Sequence, residues 1–376
     1  MIVAYDVSHI QRRRGGIGRF SLSLLQQLLR VDDRNRYILH GWSYSIDQKT
    51  LEGLRSPRCA LATTKIPGPV KRAYWERLPI VPLRYFAGEF DLFHSSDPFY
   101  PPVGRRKVIV TVYDLLSRSH PQYFEPSIVK RDRRMVRWAE RADAVLVPSR
   151  FTLEELSRSG IVPAERIHVV PPPIADTFSA EEGPLDGETV HRLGLERPYI
   201  LFVGTLEPRK NVAGLVKAFE RLCADGMTGV DLVIAGKLGW MSTDVPRAIH
   251  ASPRAGRIHW LRYVPESDLA PLYRRAVCFV YPSFVEGYGL PVAESMACGV
   301  PVITSNSSGM KEAAGAGALL VDPSSTADIA SAMAAMIGDG ALRERYAGAA
   351  VHRAKSIRDA SDPRSVIRIY ESLGQQ

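Results

Sequence analysis

Phe284-Val-Glu286-Gly287-Tyr288-Gly289-Leu290-Pro291-Val-Ala-Glu294-Ser-Met-Ala-Cys298-Gly299 is a strand-to-helix transition written in one stretch. The apolar run 277–281 before it reads as a buried strand, and 290–297 reads as a helix whose first turn carries the proline. Gly287 and Gly289 let the backbone come close to a ligand. N–H groups at the start of a helix have no partner within it and can donate to phosphate oxygens. Glu286 lies in the loop and Glu294 about one turn inside the helix. Both carboxylates can accept hydrogen bonds from hydroxyls of a ligand held there. The plain alternative is an ordinary loop with Glu294 solvated on the helix surface.

The pattern repeats on both sides of this segment. Strand-like runs at 199–203, 231–235, 258–261 and 300–304 alternate with helical spacing at 211–222 and 267–275. Apolar strands alternating with amphipathic helices indicate a parallel sheet covered on both faces. The first half follows the same plan less regularly. Strands are expected at 2–7, 92–94, 108–112 and 144–147, with helices at 20–29 and 128–141. The Pro171-Pro172-Pro173 run and the polar stretch 179–188 read as a linker. The expected organisation is therefore α/β, two Rossmann-like doubly wound domains facing a central cleft. One domain spans 1–172 and the other 173–360, with 361–376 after them. In such sheets ligands sit outside the carboxyl ends of the strands.

A second segment, Gly204-Thr-Leu-Glu207-Pro208-Arg209-Lys210-Asn211, follows the first strand of the second half and opens a helix. Two cations at a helix N-terminus are locally unfavourable, because the helix dipole there favours anions. They make sense if a diphosphate is held between them; solvated surface charge is the alternative. With both segments in view, the chain resembles the family 4 retaining glycosyltransferases of GT-B fold, and among them bacterial mannosyltransferases of polysaccharide assembly. The resemblance rests on the Glu286-x7-Glu294 spacing and on the Gly204-to-Asn211 segment. It implies that Glu286 contacts the donor sugar, Glu294 binds the ribose hydroxyls, and Arg209 and Lys210 neutralise the leaving diphosphate in place of a metal ion. Gly204, Gly287, Tyr288, Gly289 and Leu290 would line the donor site, with Val264 where the nucleobase is read by backbone atoms. The loop 305–312 would lie close by. The resemblance also implies that 1–172 is an N-terminal acceptor-binding domain, that 173–360 is a C-terminal nucleotide-sugar donor-binding domain, and that a C-terminal helix in 361–376 packs back on the first.

Gly15-Gly16-Ile17-Gly18-Arg19 resembles a dinucleotide fingerprint only in part, because Ser21 replaces the third glycine and no acid ends the next strand, Tyr37-Ile-Leu-His40. The family element similar to it is a glycine loop near the donor phosphates and the acceptor, which makes Gly16 and Arg19 candidates; a tight structural turn is the alternative. Tyr113-Asp114 closes the run 108–112, and Tyr113 stands where many family members carry histidine. A Tyr–Asp pair can hydrogen-bond a sugar but supplies no imidazole. A structural cap is the alternative for Asp114, and a packing or surface role for His120.

Composition sets limits. The 376 residues are 45% hydrophobic and 24% charged, which excludes a disordered chain and favours two domains. Cys59, Cys223, Cys278 and Cys298 are far apart, so buried thiols are expected rather than a zinc cluster or disulfides. No signal peptide, transmembrane segment or Asp-x-Asp metal motif is expected, and a cytoplasmic location fits. Residues 1–172 carry 28 Lys+Arg against 17 Asp+Glu, a net of +11. The remainder carries 21 against 23, a net of −2. The cations include Arg12, Arg13 and Arg14, the set Lys71, Arg72 and Arg77 around Trp75, and Lys130, Arg131, Arg133, Arg134, Arg137 and Arg141. A solvated basic face and an anionic membrane bearing a lipid-linked acceptor both account for this charge; nucleic acid is not expected. The expected activity is retaining transfer of a hexose, with GDP-mannose first and UDP-sugars second as donors. A lipid-linked or oligosaccharide molecule is the expected acceptor, and no separate cofactor is required. The rivals are another GT-B enzyme such as a nucleotide-sugar epimerase, and a sugar-nucleotide-binding protein without turnover.

Overall fold

The computed structural model describes residues 1–12, 15–42, 46–64, 82–98 and 100–375. Arg13, Arg14, Lys71, Arg72, Trp75 and Arg77 lie outside the described residues. The chain forms two compact units. One comprises Met1–Leu115, Lys130–Pro173 and Ala360–Gln376; the other comprises Leu116–Val129 and Ile174–Asp359.

The first unit is built on a seven-stranded parallel sheet. Its strands are β1 (Ile2–Asp6), β2 (Arg36–Trp42), β3 (Cys59–Thr64), β4 (Leu92–Ser95), β5 (Lys107–Thr111), β6 (Ala144–Val147) and β7 (Ile167–Val169), in the order β3-β2-β1-β4-β5-β6-β7. β4, β5 and β6 are buried on both faces apart from Lys107 at one end, which is why they read as continuous apolar runs rather than alternating ones. The helix Gly16–Val31 lays Leu24, Leu25 and Leu28 on the sheet, and the core they enter also contains Val366, Tyr370 and Leu373 of the helix Arg364–Gly374. The Tyr370 hydroxyl and His94 Nδ1 share a hydrogen bond of 2.6 Å. Burial holds the His94 imidazole down at about 3, so it is neutral and structural.

The second unit carries a six-stranded parallel sheet. It consists of β8 (Tyr199–Val203), β9 (Asp231–Ala235), β10 (Ile258–Arg262), β11 (Cys278–Tyr281), β12 (Val302–Ser305) and β13 (Ala318–Val321), in the order β10-β9-β8-β11-β12-β13. Its core joins Phe202, Phe219, Tyr273, Phe279 and Tyr281 to the helices on both faces. The segment Leu116–Val129 also packs here: Tyr123 stacks on Phe284 at 5.5 Å, His120 stacks on Tyr123 at 6.4 Å, and Trp240 donates to the Tyr123 carbonyl at 2.9 Å. His120 is thus a packing histidine.

All four cysteines are buried and unpaired, and burial pushes the Cys278 and Cys298 thiols up to about 12. Among the described residues no helix is long and apolar enough to cross a membrane.

Candidate active site

In the second sheet the winding direction reverses between β8 and β11, and the crevice outside the carboxyl ends of such a pair is where open α/β sheets bind ligands. Both motifs of the second half leave the sheet here. After β8 the chain passes Gly204, makes a 3-10 turn at Pro208–Lys210, takes a left-handed Asn211 (φ 55°), and enters the helix Val212–Ala224. Asn tolerates that conformation, and its side-chain amide donates to the Pro323 carbonyl at 2.6 Å. Gly204 is packed against the turn after β9 so tightly that a Cβ on Gly236 would lie 1.8 Å from the Gly204 carbonyl oxygen. After β11, the Phe284 N–H donates to the Arg209 carbonyl at 2.8 Å and ties the two loops together.

This tie brings four charged side chains into one buried cluster. Arg209 Nη1 lies 2.5 Å from Glu286 Oε2, and Arg209 Nη2 lies 2.9 Å from Glu207 Oε2. Lys210 Nζ donates to Glu286 Oε1 and to the Tyr281 hydroxyl oxygen, and sits 4.9 Å from the Tyr281 ring centroid. The Tyr281 hydroxyl donates to Glu286 Oε1 at 3.1 Å. Glu207, Lys210 and Glu286 are only 6–7% exposed. Burial pushes the Glu286 carboxyl up, but Arg209 and Lys210 outweigh it and hold the group at about 2. Burial, then the neighbouring Arg209, lowers the Lys210 ammonium from its usual range. The charge of Arg209 and Lys210 therefore already has partners within the chain. They stand in a separate turn ahead of the helix, and diphosphate is not needed to explain their presence.

The glycine loop is held from below. The Ser308 hydroxyl accepts from the Glu286 N–H at 3.1 Å, Gly309 N–H donates to the Glu286 carbonyl at 3.1 Å, and the Ser307 hydroxyl donates to the Phe284 carbonyl at 3.1 Å. A Cβ on Gly309 would fall 2.2 Å from the Gly287 carbonyl oxygen, so this contact is backbone on backbone. Gly289 is left-handed (φ 99°) and N-caps the helix Leu290–Ala297, with no side chain to bind the first-turn N–H groups. Glu294 is 1% exposed rather than solvated, and accepts from the Tyr273 hydroxyl at 3.2 Å. A carboxylate buried one turn inside a helix that lacks a side-chain cap is costly without hydrogen-bond donors. Tyr288 is buried, and Val264, just past β10, is 8% exposed.

In the first unit the sheet order reverses between β1 and β4. Asp6 ends β1 and accepts from the hydroxyls of Ser8 (2.6 Å) and Ser96 (2.7 Å), while His9 Nε2 lies 3.3 Å from Asp97 Oδ2. These residues escaped the sequence reading, because only the strand order shows that 6–9 and 95–97 share an edge. Tyr113, two residues past β5, packs edge-on against Phe20 at 5.3 Å, and its buried hydroxyl finds no partner among the described residues. Burial, then Tyr5, Asp97 and Asp6, raises its titration well above the ordinary phenol range. Asp114 is half-buried beside it. Gly16 opens the helix Gly16–Val31, and Arg19 N–H donates to the Gly15 carbonyl at 3.0 Å. Neither Gly15 nor Gly16 has positive φ, and among the described residues a Cβ on either would meet nothing within 4 Å. Nothing among the described residues therefore requires glycine at these two positions. Among the described residues no group of His, Cys, Asp and Glu is placed to hold a metal ion.

Two parallel Rossmann-like sheets, each with its polar residues at the switch point, match what the family comparison finds. The model described as "Glycosyltransferase Family 4" matches residues 14–178, and that for "Glycosyl transferases group 1" matches 188–353. The chain belongs to the family 4 glycosyltransferases and is an enzyme of GT-B fold. Among its relatives is O-antigen chain mannosyltransferase B of Escherichia coli, 28% identical, with 99% of this chain and 100% of that one covered. Among solved structures, sucrose-phosphate synthase from Thermosynechococcus elongatus superposes with a TM-score of 0.77 at 19% identity, covering 99% of both chains. Anabaena HepE in complex with UDP and glucose gives 0.75 at 19% identity, again over 99% of both.

Proposed function

We propose that this glycosyltransferase moves mannose from GDP-mannose, with retention and without a metal ion, to a lipid-linked or oligosaccharide acceptor in cell-surface polysaccharide assembly. The observation that carries the reading is the buried Glu286–Arg209–Lys210 cluster at the β8/β11 switch point, with the helix Leu290–Ala297 opening beside it. Arg209, Lys210 and the first-turn N–H groups of that helix would receive the diphosphate. Leaving-group charge is then stabilised by fixed donors rather than by a cation. Glu286, freed from part of its pairing, would take hydroxyls of the donor sugar, and Glu294 those of the ribose. The acceptor oxygen attacks C1 from the face the diphosphate leaves. The C1–O bond to phosphate breaks with its electron pair on the diphosphate, which takes the acceptor's proton. Mannose is favoured by the E. coli relative named as a mannosyltransferase.

The acceptor side is read from charge. Lys130, Arg131, Arg133, Arg134, Arg137 and Arg141 are exposed, whereas Val136 and Ala139 are buried. This basic face suits an anionic membrane on the cytoplasmic side that carries the acceptor. Salt-sensitive binding to phosphatidylserine vesicles tests it, and binding indifferent to salt or to anionic lipid refutes it. The donor reading is tested by thermal shift with GDP-mannose and UDP-glucose, followed by transfer assays with and without EDTA and by NMR of the product anomer. An inverted anomer, a rate abolished by EDTA, or sugar isomers in place of a glycoside would each overturn the corresponding element.

A further inference from the structure

We propose that Glu207 takes up a proton when the donor's diphosphate enters the Arg209–Lys210 cluster, so that donor affinity is tied to pH through this one carboxyl. The inference rests on the reading that these two cations receive the diphosphate. Glu207, Glu286, Arg209 and Lys210 sum to zero charge, and three of the four are under 8% exposed. A nucleotide-sugar diphosphate brings two ionised oxygens. Two cations would then face two carboxylates and two phosphate charges in surroundings with little water to screen them. Like charges crowded in such a site are relieved by protonating one acid.

Geometry selects which acid. Glu286 accepts from Lys210 and Tyr281 at Oε1 and meets Arg209 at Oε2, so its ionised form is held from both sides. Glu207 has one close cation, Arg209 at 2.9 Å from Oε2, where Glu286 is held at both oxygens by three groups. Burial raises the Glu207 carboxyl above its usual range despite the pull of Arg209 and Lys210. The groups facing it are Arg209 and Lys210 from its own turn, Glu286 from the loop after β11 and Tyr281 from β11. The turn after β9 lays Gly239 against its side chain, and Lys237 of that turn is exposed. When Arg209 shares its guanidinium with phosphate, Glu207 loses the attraction that opposes burial. A proton from solvent then restores balance.

The bound form titrates higher than the free form, so affinity rises as pH falls through the window between them. The limit is about tenfold per pH unit for one whole proton. Calorimetry of GDP-mannose binding near neutral pH, in buffers of different ionisation enthalpy, reads the uptake directly, with UDP-glucose run in parallel. Wild type is expected to take up part of a proton per ligand. Glu207→Gln keeps the shape, and is expected to bind with no uptake and a flat pH profile. Infrared difference spectra of wild type on adding GDP-mannose are expected to show a new protonated-carboxyl band, a reading that needs no variant. Binding without uptake, absence of that band, or uptake undiminished in Glu207→Gln overturns the inference while leaving the donor reading intact. If neither nucleotide sugar binds, the donor reading itself fails and this inference falls with it.

Discussion

Replacing Glu286 by Gln removes the counter-charge of two buried cations while keeping side-chain volume. Arg209 is left with Glu207, and Lys210 with the Tyr281 hydroxyl. The wild-type carboxyl is held at about 2 against an ordinary 4.5, a gap that corresponds to about 3 kcal/mol in favour of the ionised form. Breaking one partner out of a buried ion pair costs a similar amount, about 3–5 kcal/mol, because the other charge stays behind uncompensated. Glu286→Gln is therefore expected to lower the stability of the second unit by about 3 kcal/mol at neutral pH. The pH dependence has a definite sign. Since the carboxyl titrates lower folded than unfolded, its contribution is complete above the ordinary value of 4.5. It is lost as pH falls through about 2. The variant should lose this acid limb. It should gain stability as pH rises, because Lys210, already lowered by burial, then releases its proton more readily folded than unfolded. Urea denaturation of both proteins across pH, followed by circular dichroism, measures all of this. A loss below about 1 kcal/mol, or an unchanged acid limb, would show that the cluster behaves as an exposed pair and would refute the reasoning.

Other outcomes follow from single contacts. Gly309→Ala places a methyl 2.2 Å from the Gly287 carbonyl oxygen, so it should displace the glycine loop and abolish nucleotide-sugar binding in a thermal-shift assay. Tyr113→Phe removes a buried hydroxyl that has no partner among the described residues, so the melting temperature should hold or rise; a loss above about 1 kcal/mol would mean the hydroxyl is bonded after all. Tyr370→Phe strips the 2.6 Å hydrogen bond from buried His94 and should cost about 1–3 kcal/mol, with faster proteolysis of the helix Arg364–Gly374 as the check.

Three elements bounded by glycine were legible in the sequence to the residue. β8, β9 and the helix Leu290–Ala297 fall where Gly204, Gly236 and Gly289 stop or start a uniform apolar pattern. β3 was not read, because Cys-Ala-Leu-Ala-Thr-Thr has small residues and neither a clean alternation nor an unbroken apolar run. The helix Gly16–Val31 starts earlier than its apolar face suggests, because glycines open it. At the candidate site the residue types were legible and their mutual arrangement was not. Lys210 and Glu286 are 76 residues apart, and they meet only because β8 pairs with β11, which no local pattern encodes. Glu207 sits inside a recognised motif, yet nothing in the motif distinguishes a buried acid from a solvated one.

The helix Arg364–Gly374 has a consequence for how the protein is made. Its Val366, Tyr370 and Leu373 complete a core whose other members include Val3, Tyr5 and Tyr37. During synthesis the first unit waits, with part of its hydrophobic interior uncovered, until this helix clears the ribosome, by which time all of the second unit's chain has been made. The first unit's core is therefore the last of the two to have all its parts synthesised, although its sheet is the first to be made.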